Sequence, residues 1–118
     1  DAQRWNRLHP TKERRQAYAC KMMKDKVGPV IAASDYIKLV AEQISIFIDK
    51  PFIALGTDGF GRSESRENLR KFFEVDRYSI VAAALFQLQK LDLIKGEVVA
   101  KALKKYKIET ETDNPVKR

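Results

Sequence analysis

Thr57–Arg70, TDGFGRSESRENLR, joins a short apolar run to a charged, helix-prone one, and its reading decides the fold. Phe52–Leu55 (FIAL), just before it, has the length and composition of a buried strand. Gly56, Gly59 and Gly61 then allow backbone conformations that a Cβ disfavours. Ser63 or Ser65 is placed to accept a hydrogen bond from the free amides of a helix opening near Arg66. A strand–loop–helix order puts the loop at the carboxyl end of a strand, the edge of an α/β sheet where ligands and neighbouring domains dock.

Working outward, Gly28–Pro29 precedes a second strand candidate, Val30–Ala33. Ser34 or Asp35 then caps a long helix in which Tyr36, Leu39, Val40, Gln43 and Phe47 fall at helical spacing, and Asp49–Lys50–Pro51 stops it. Upstream, Thr11 to Lys26 suits a helix with Thr11 as N-cap and Ala17, Cys20 and Met23 among its apolar positions. Downstream the signals are helical: Arg66 to Phe73, a segment capped by Asp76 and running to about Leu91, and a third from Gly96 to near Tyr106. Ile80, Ala83, Ala84, Gln87 and Leu88 form the stripe of the middle one. Residues 109–118 are polar, and fraying is expected there. The expectation is one α/β domain over residues 1–118, a small, mostly parallel sheet flanked by helices. Two strands alone make a marginal sheet unless more strands or covering helices complete it, so the layer reads as incomplete.

Composition places the chain among globular proteins. It has 118 residues, 44% hydrophobic and 33% charged, a mean hydropathy of −0.43, and no apolar run long enough to cross a bilayer. Cys20 is the single cysteine, which excludes an internal disulfide, and the polar first residues do not read as an export signal, so the expected compartment is cytoplasmic. Net charge is +7, and Asp1–Lys26 holds most of the excess, with eight Lys and Arg against three Asp and Glu. Such a run is either a polyanion-binding arm or a solvated helix face. No RNA-binding aromatic motif or zinc-finger spacing accompanies it, and no nucleic acid or membrane partner is expected.

Candidate chemistry is sparse. His9 is the only histidine, so no His–His metal pair exists, and Leu8–His9–Pro10 reads as a turn in which the ring bonds to backbone. Cys20, beside Met22 and Met23, reads as a small apolar filler. Ser63 and Ser65 lie among charges but have no base close in sequence, and helix capping accounts for both. The glycine loop has neither a Walker lysine nor the dinucleotide pattern Gly-x-Gly-x-x-Gly. What remains is a dense alternation of charge around Phe60, which stands between two glycines. It suits either a solvated face or an interface, with Thr57, Asp58, Phe60, Arg62, Ser63 and Arg66 as the candidate contact residues.

The loop also resembles the signature of the C-terminal domain of the homodimeric, thiamine-dependent pyruvate dehydrogenases, transketolase-like enzymes. Trp5–Pro10 (WNRLHP), Gly28–Ile44 (GPVIAASDYIKLVAEQI), Phe73–Asp76 (FEVD), Ser79–Leu85 (SIVAAAL) and Asn114–Pro115 follow in the family's order, so the resemblance covers nearly the whole chain. It implies a parent enzyme several times longer, which decarboxylates pyruvate and passes the acetyl group to a lipoyl arm of the acetyltransferase component. Thiamine diphosphate and magnesium are implied in two earlier domains, and the remaining domains and a second subunit as partners. The family's cofactor signature is Gly-Asp-Gly with an Asn some two dozen residues later. Here Asp58–Gly59 follows Thr57, and Asn68 comes too soon, so the signature does not transfer. The resemblance also implies a transketolase C-terminal-domain-like sheet that lacks its first strands here, and a piece that scaffolds the dimer and is inactive alone. The competing readings are a basic anion- or nucleic-acid-binding module and a small hydrolase or transferase around Ser63, Cys20 or Asp58.

Overall fold

Val30–Ala33 (β1) and Phe52–Leu55 (β2) pair in parallel, with Val30 opposite Phe52 and Ala33 opposite Leu55. β-Branched Val30, Ile31 and Ile53 suit this half-buried ladder. The computed structural model describes every residue, Asp1–Arg118. Around the strand pair lie six α-helices: α1 (Ala2–Leu8), α2 (Tyr18–Met23), α3 (Lys38–Glu42), α4 (Arg66–Phe72), α5 (Arg77–Lys90) and α6 (Gly96–Lys105). Short 3-10 turns occupy Ser45–Phe47 and Pro115–Lys117. The longest helix, α5, packs against β1 and α6, while α3 packs against β2.

Both strands lie where the sequence puts them, and so do α4, α5 and α6 to within a residue. Their starts follow the expected caps. Ser65 Oγ accepts from Asn68 N at 3.3 Å, and Asp76 Oδ1 accepts from Ser79 N at 2.8 Å. Their ends share one device that no glycine announces. Glu74, Asp92 and Lys107 each take a left-handed conformation, with φ of 57°, 56° and 54°. The next residue's amide reaches back five residues: Val75 to Arg70 O, Leu93 to Leu88 O, Ile108 to Leu103 O. This is the Schellman closure, each time with an aliphatic residue after the left-handed one.

Two helices are shorter than expected. Thr11–Lys26 is helical only over Tyr18–Met23, because the Asn6 side chain holds both backbone groups of Arg15, accepting from its N–H at 2.8 Å and donating to its carbonyl at 2.9 Å. That pins Arg15 outside any helix. The segment expected to run from Ser34 or Asp35 to Phe47 is helical only over Lys38–Glu42, followed by the 3-10 turn. Ser34 Oγ accepts from Tyr36 N at 2.8 Å, forming a local turn in place of a helix cap. The carbonyls of Asp35 and Tyr36 accept from Thr57, at 2.8 Å each, so neither can begin an intrahelical ladder. The stripe expected to face the core is exposed at Tyr36, Leu39 and Val40.

The core is small. Ile48, Ala54, Phe73, Val75, Ala83, Val99, Gly56 and Gln87 are buried, and no large side chain is completely enclosed. Gln87 donates from Nε2 to Phe52 O at 3.4 Å, while its Oε1 is buried without a partner. The accessible surface is 9430 Å², against roughly 6,600 Å² for a compact monomer of this mass. The radius of gyration is 17.5 Å, where about 13.5 Å is usual for the length. No helix is long and apolar enough to cross a membrane.

Candidate interface loop

β2 ends at Leu55, and the chain then passes Gly56 within touching distance of the segment that follows β1. A Cβ at Gly56 would lie 2.4 Å from Tyr36 O and 2.7 Å from Lys38 N. This close approach lets Thr57 and Asp58 join the two strand ends. Thr57 N–H donates to Tyr36 O and its hydroxyl to Asp35 O. Asp58 Oδ1 accepts from Lys38 N at 2.9 Å, and Oδ2 sits 3.2 Å from Lys38 Nζ. Asp58 therefore caps α3 from twenty residues away, where Ile37, the residue at the cap position, offers no side-chain bond. The Lys38 backbone N–H holds the Asp58 carboxyl below its ordinary pKa; partial burial opposes this, and the Lys38 ammonium adds to the lowering.

Beyond this latch the loop turns outward. Gly59 adopts φ +101°, which favours glycine, and its Cα hydrogens face Val116, whose Cα would be 3.3 Å from a Cβ there. Phe60 is 92% exposed, more than any other aromatic side chain. Ser63 and Arg66 are exposed as well. Arg62 stacks on Phe72, its Cζ 4.1 Å from the ring centre, and donates to the carbonyl of Arg118. Glu64 accepts from the Ser65 N–H at 2.7 Å, and this bond lowers its pKa.

The last residues, expected to fray, fold back onto this region. Asn114 Oδ1 accepts from Val116 N at 3.0 Å to start the final turn. The Arg118 guanidinium lies 5.0 Å from the Phe72 ring centre and 3.1 Å from Glu74 Oε1, and donates to Phe72 O at 3.3 Å. Phe72 thus carries two guanidinium groups. Under the loop is an open cleft of about 420 Å³ lined by Asp35, Thr57, Phe60, Arg62, Arg70 and Phe73. Arg70 faces Asp35 across it at 3.6 Å.

Of the six residues singled out by sequence, Thr57 and Asp58 face inward as a latch, Arg62 is held by the tail, and Phe60, Ser63 and Arg66 present themselves outward. Phe72, Asp35 and Arg118 escaped sequence reasoning. Their partners lie ten or more residues away, and no local spacing signals such pairs.

No group of three or more His, Cys, Asp and Glu side chains is close enough to hold a metal. Both Asp58 oxygens face Lys38, a cationic partner that disfavours a magnesium ion beside them, so the donor set does not fit the diphosphate–magnesium group. His9 Nδ1 donates to Trp5 O at 2.9 Å and its ring stacks on Trp5 at 4.4 Å, the expected turn role.

The fold and the loop define a small α/β domain with a structured loop at the carboxyl edge of a parallel strand pair. The family model for the transketolase-like TK C-terminal domain matches residues 3–76. The chain belongs to that family. It is also similar to proteins called pyruvate dehydrogenase E1 component. The one from Pseudomonas aeruginosa is 50% identical over 115 residues, 97% of the chain and 13% of the relative. Those from Cupriavidus necator and Escherichia coli K12 are each 47% identical over 116 residues, 98% of the chain and again 13% of the relative. The chain thus spans about an eighth of the length of these relatives.

Proposed function

We propose that this chain is the C-terminal part of a pyruvate dehydrogenase E1 component and serves that enzyme as a structural, interface-forming domain. The parent oxidatively decarboxylates pyruvate and transfers the acetyl group to a lipoyl group of the acetyltransferase component. Thiamine diphosphate and magnesium are held by other parts of the parent, which works as a homodimer in the cytoplasm. In this reading Phe60, Ser63 and Arg66 contact the remaining domains or the second subunit. Thr57 and Asp58 hold the loop in shape, and Arg62 braces it against the tail.

One observation carries the proposal: the chain exposes 9430 Å², close to 3,000 Å² more than its mass calls for, when one partner in a standard interface contributes only about 800 Å². A domain so thinly covered belongs against other protein. The basic-module alternative has no comparable support, since the similar proteins are called pyruvate dehydrogenase E1 component.

The test is Phe60→Ala in the full-length parent and in this chain. An interface anchor loses on the order of 2 kcal/mol of association on truncation, whereas an exposed loop residue changes folding stability by about 0.5 kcal/mol or less. The parent's dimerisation or domain docking should weaken and its activity fall, while the melting of the chain alone stays put. A sharp drop in the chain's melting temperature with an unchanged parent would make Phe60 a core residue and remove the interface.

A further inference from the structure

The ring of Phe60 stands where the hydrophobic effect would not leave it. It is 92% exposed at the rim of the cleft of about 420 Å³, whose apolar lining includes Leu69, Phe73 and Val75. Turning the ring inward onto those three would remove apolar surface from water, a favourable step. The chain on one side is free to make that turn, since Gly61 has nothing within 4 Å of where a Cβ would stand. A contact from outside the loop must therefore hold the ring out.

The tail Asn114–Arg118 supplies it, touching the loop on both sides of Phe60. Before the ring, the Val116 backbone is laid on Gly59, its Cα 3.3 Å from where a Cβ would be. After the ring, the Arg62 guanidinium donates to Arg118 O. The tail is in turn moored to the end of α4. The Arg118 guanidinium forks between Phe72 O at 3.3 Å and Glu74 Oε1 at 3.1 Å and lies 5.0 Å from the Phe72 ring centre, which leaves its side chain only 26% exposed. A cation bonded to the last carbonyls of a helix also suits the helix dipole. Arg62 seats on the same ring at 4.1 Å, and the Glu74 carboxylate offsets the repulsion between the two guanidinium groups. Loop, tail and helix end are thus tied at one aromatic ring.

We propose that Asn114–Arg118 is a strap that gives the loop two states: strapped, with the Phe60 ring presented outward, and released, with the ring folded onto Leu69, Phe73 and Val75. Arg118, Phe72 and Glu74 are positioning residues, acting on Phe60 through Arg62 and the tail backbone. The use of the strapped state, a ring set in advance for its partner, rests on the interface reading above, whereas the two states themselves do not.

The whole 118-residue chain, isotope-labelled in its Phe rings and its Leu and Val methyls, is probed by NMR for nuclear Overhauser effects from the Phe60 ring to the Leu69 and Val75 methyls. These should be weak in the chain itself and about fivefold or more stronger in Arg118→Ala, the shift expected when a cation–π contact and its hydrogen bonds are lost from one of two states. Phe72→Leu, which keeps an apolar side chain but removes the seat of both guanidinium groups, should act in the same direction. Lys117→Ala, at an exposed residue of the same turn outside every ion pair, should leave the effects unchanged, with circular dichroism confirming that each variant keeps its fold. Effects of equal strength in the chain and in Arg118→Ala, or a Lys117→Ala variant as fully released as Arg118→Ala, would overturn the strap. Phe60→Ala in the full-length parent tests the interface separately, so a missing strap and a missing interface give different results.

Discussion

Replacing Gly56 by alanine should damage this domain more than any other single methyl group added to it. Gly56 does not have a positive φ, so alanine is conformationally allowed there and the penalty is one of space. The added Cβ would stand 2.4 Å from Tyr36 O, 2.7 Å from Lys38 N and 3.0 Å from Ile37 C, all backbone atoms that cannot rotate away. Ordinary contact begins near 3.4 Å, so β2 and the start of α3 must part by about 1 Å. The Thr57 N–H to Tyr36 O bond, now 2.8 Å, would stretch beyond hydrogen-bonding range, and the Asp58 cap on Lys38 would slip with it. Overpacking of this kind costs about 1–3 kcal/mol, and losing the cap adds about 1 kcal/mol. A total of about 2–4 kcal/mol corresponds to a fall in melting temperature of about 10 °C or more for a domain of this size. Urea and thermal denaturation measure the loss, and hydrogen exchange at the Lys38 and Thr57 amides locates it. If Gly56→Ala melts within about 2 °C of the parent with both amides still protected, the close approach is not a constraint and the latch has been misread.

Two further outcomes follow from the same geometry. Because the Asp58 carboxyl is held below its ordinary pKa, its ionised form stabilises the fold above about pH 4, and that contribution disappears as pH falls through the lowered value. Asp58→Ala should therefore cost about 1 kcal/mol at neutral pH, with the difference from the parent shrinking in denaturation curves taken at successively lower pH; a gap independent of pH would remove the carboxylate from the account. Asp92 occupies a left-handed position at the end of α5, is exposed, and forms no ion pair. Asp92→Gly should raise stability by about 0.5–1 kcal/mol in urea titration, and a decrease would mean that the aspartate side chain contributes a contact of its own.

Elements whose signals are local were legible. β1 and β2 are short apolar runs bounded by Gly28–Pro29, Pro51 and Gly56, while α4 and α5 carry Ser65 and Asp76 at their starts. Legibility failed where a distant residue takes a backbone group that a helix would otherwise use. Asn6 does this to Arg15, nine residues on, and Thr57 does it to Asp35 and Tyr36 from more than twenty residues away. Propensity favours helix in both segments, and specific hydrogen bonds override it. The loop stands out in sequence through its glycines and Phe60, but its division into an inward latch and an outward face does not. Thr57 and Asp58 look like surface residues in sequence because their partners are backbone groups, which have no sequence signature. The same reasoning explains the exposed stripe of Tyr36, Leu39 and Val40. Helical spacing marks it as a core-facing stripe, but Tyr36 lies in a turn before α3 and all three side chains are exposed. Thr57 and Asp58 fix where α3 begins and tie it to β2, and the stripe remains open with that tie in place.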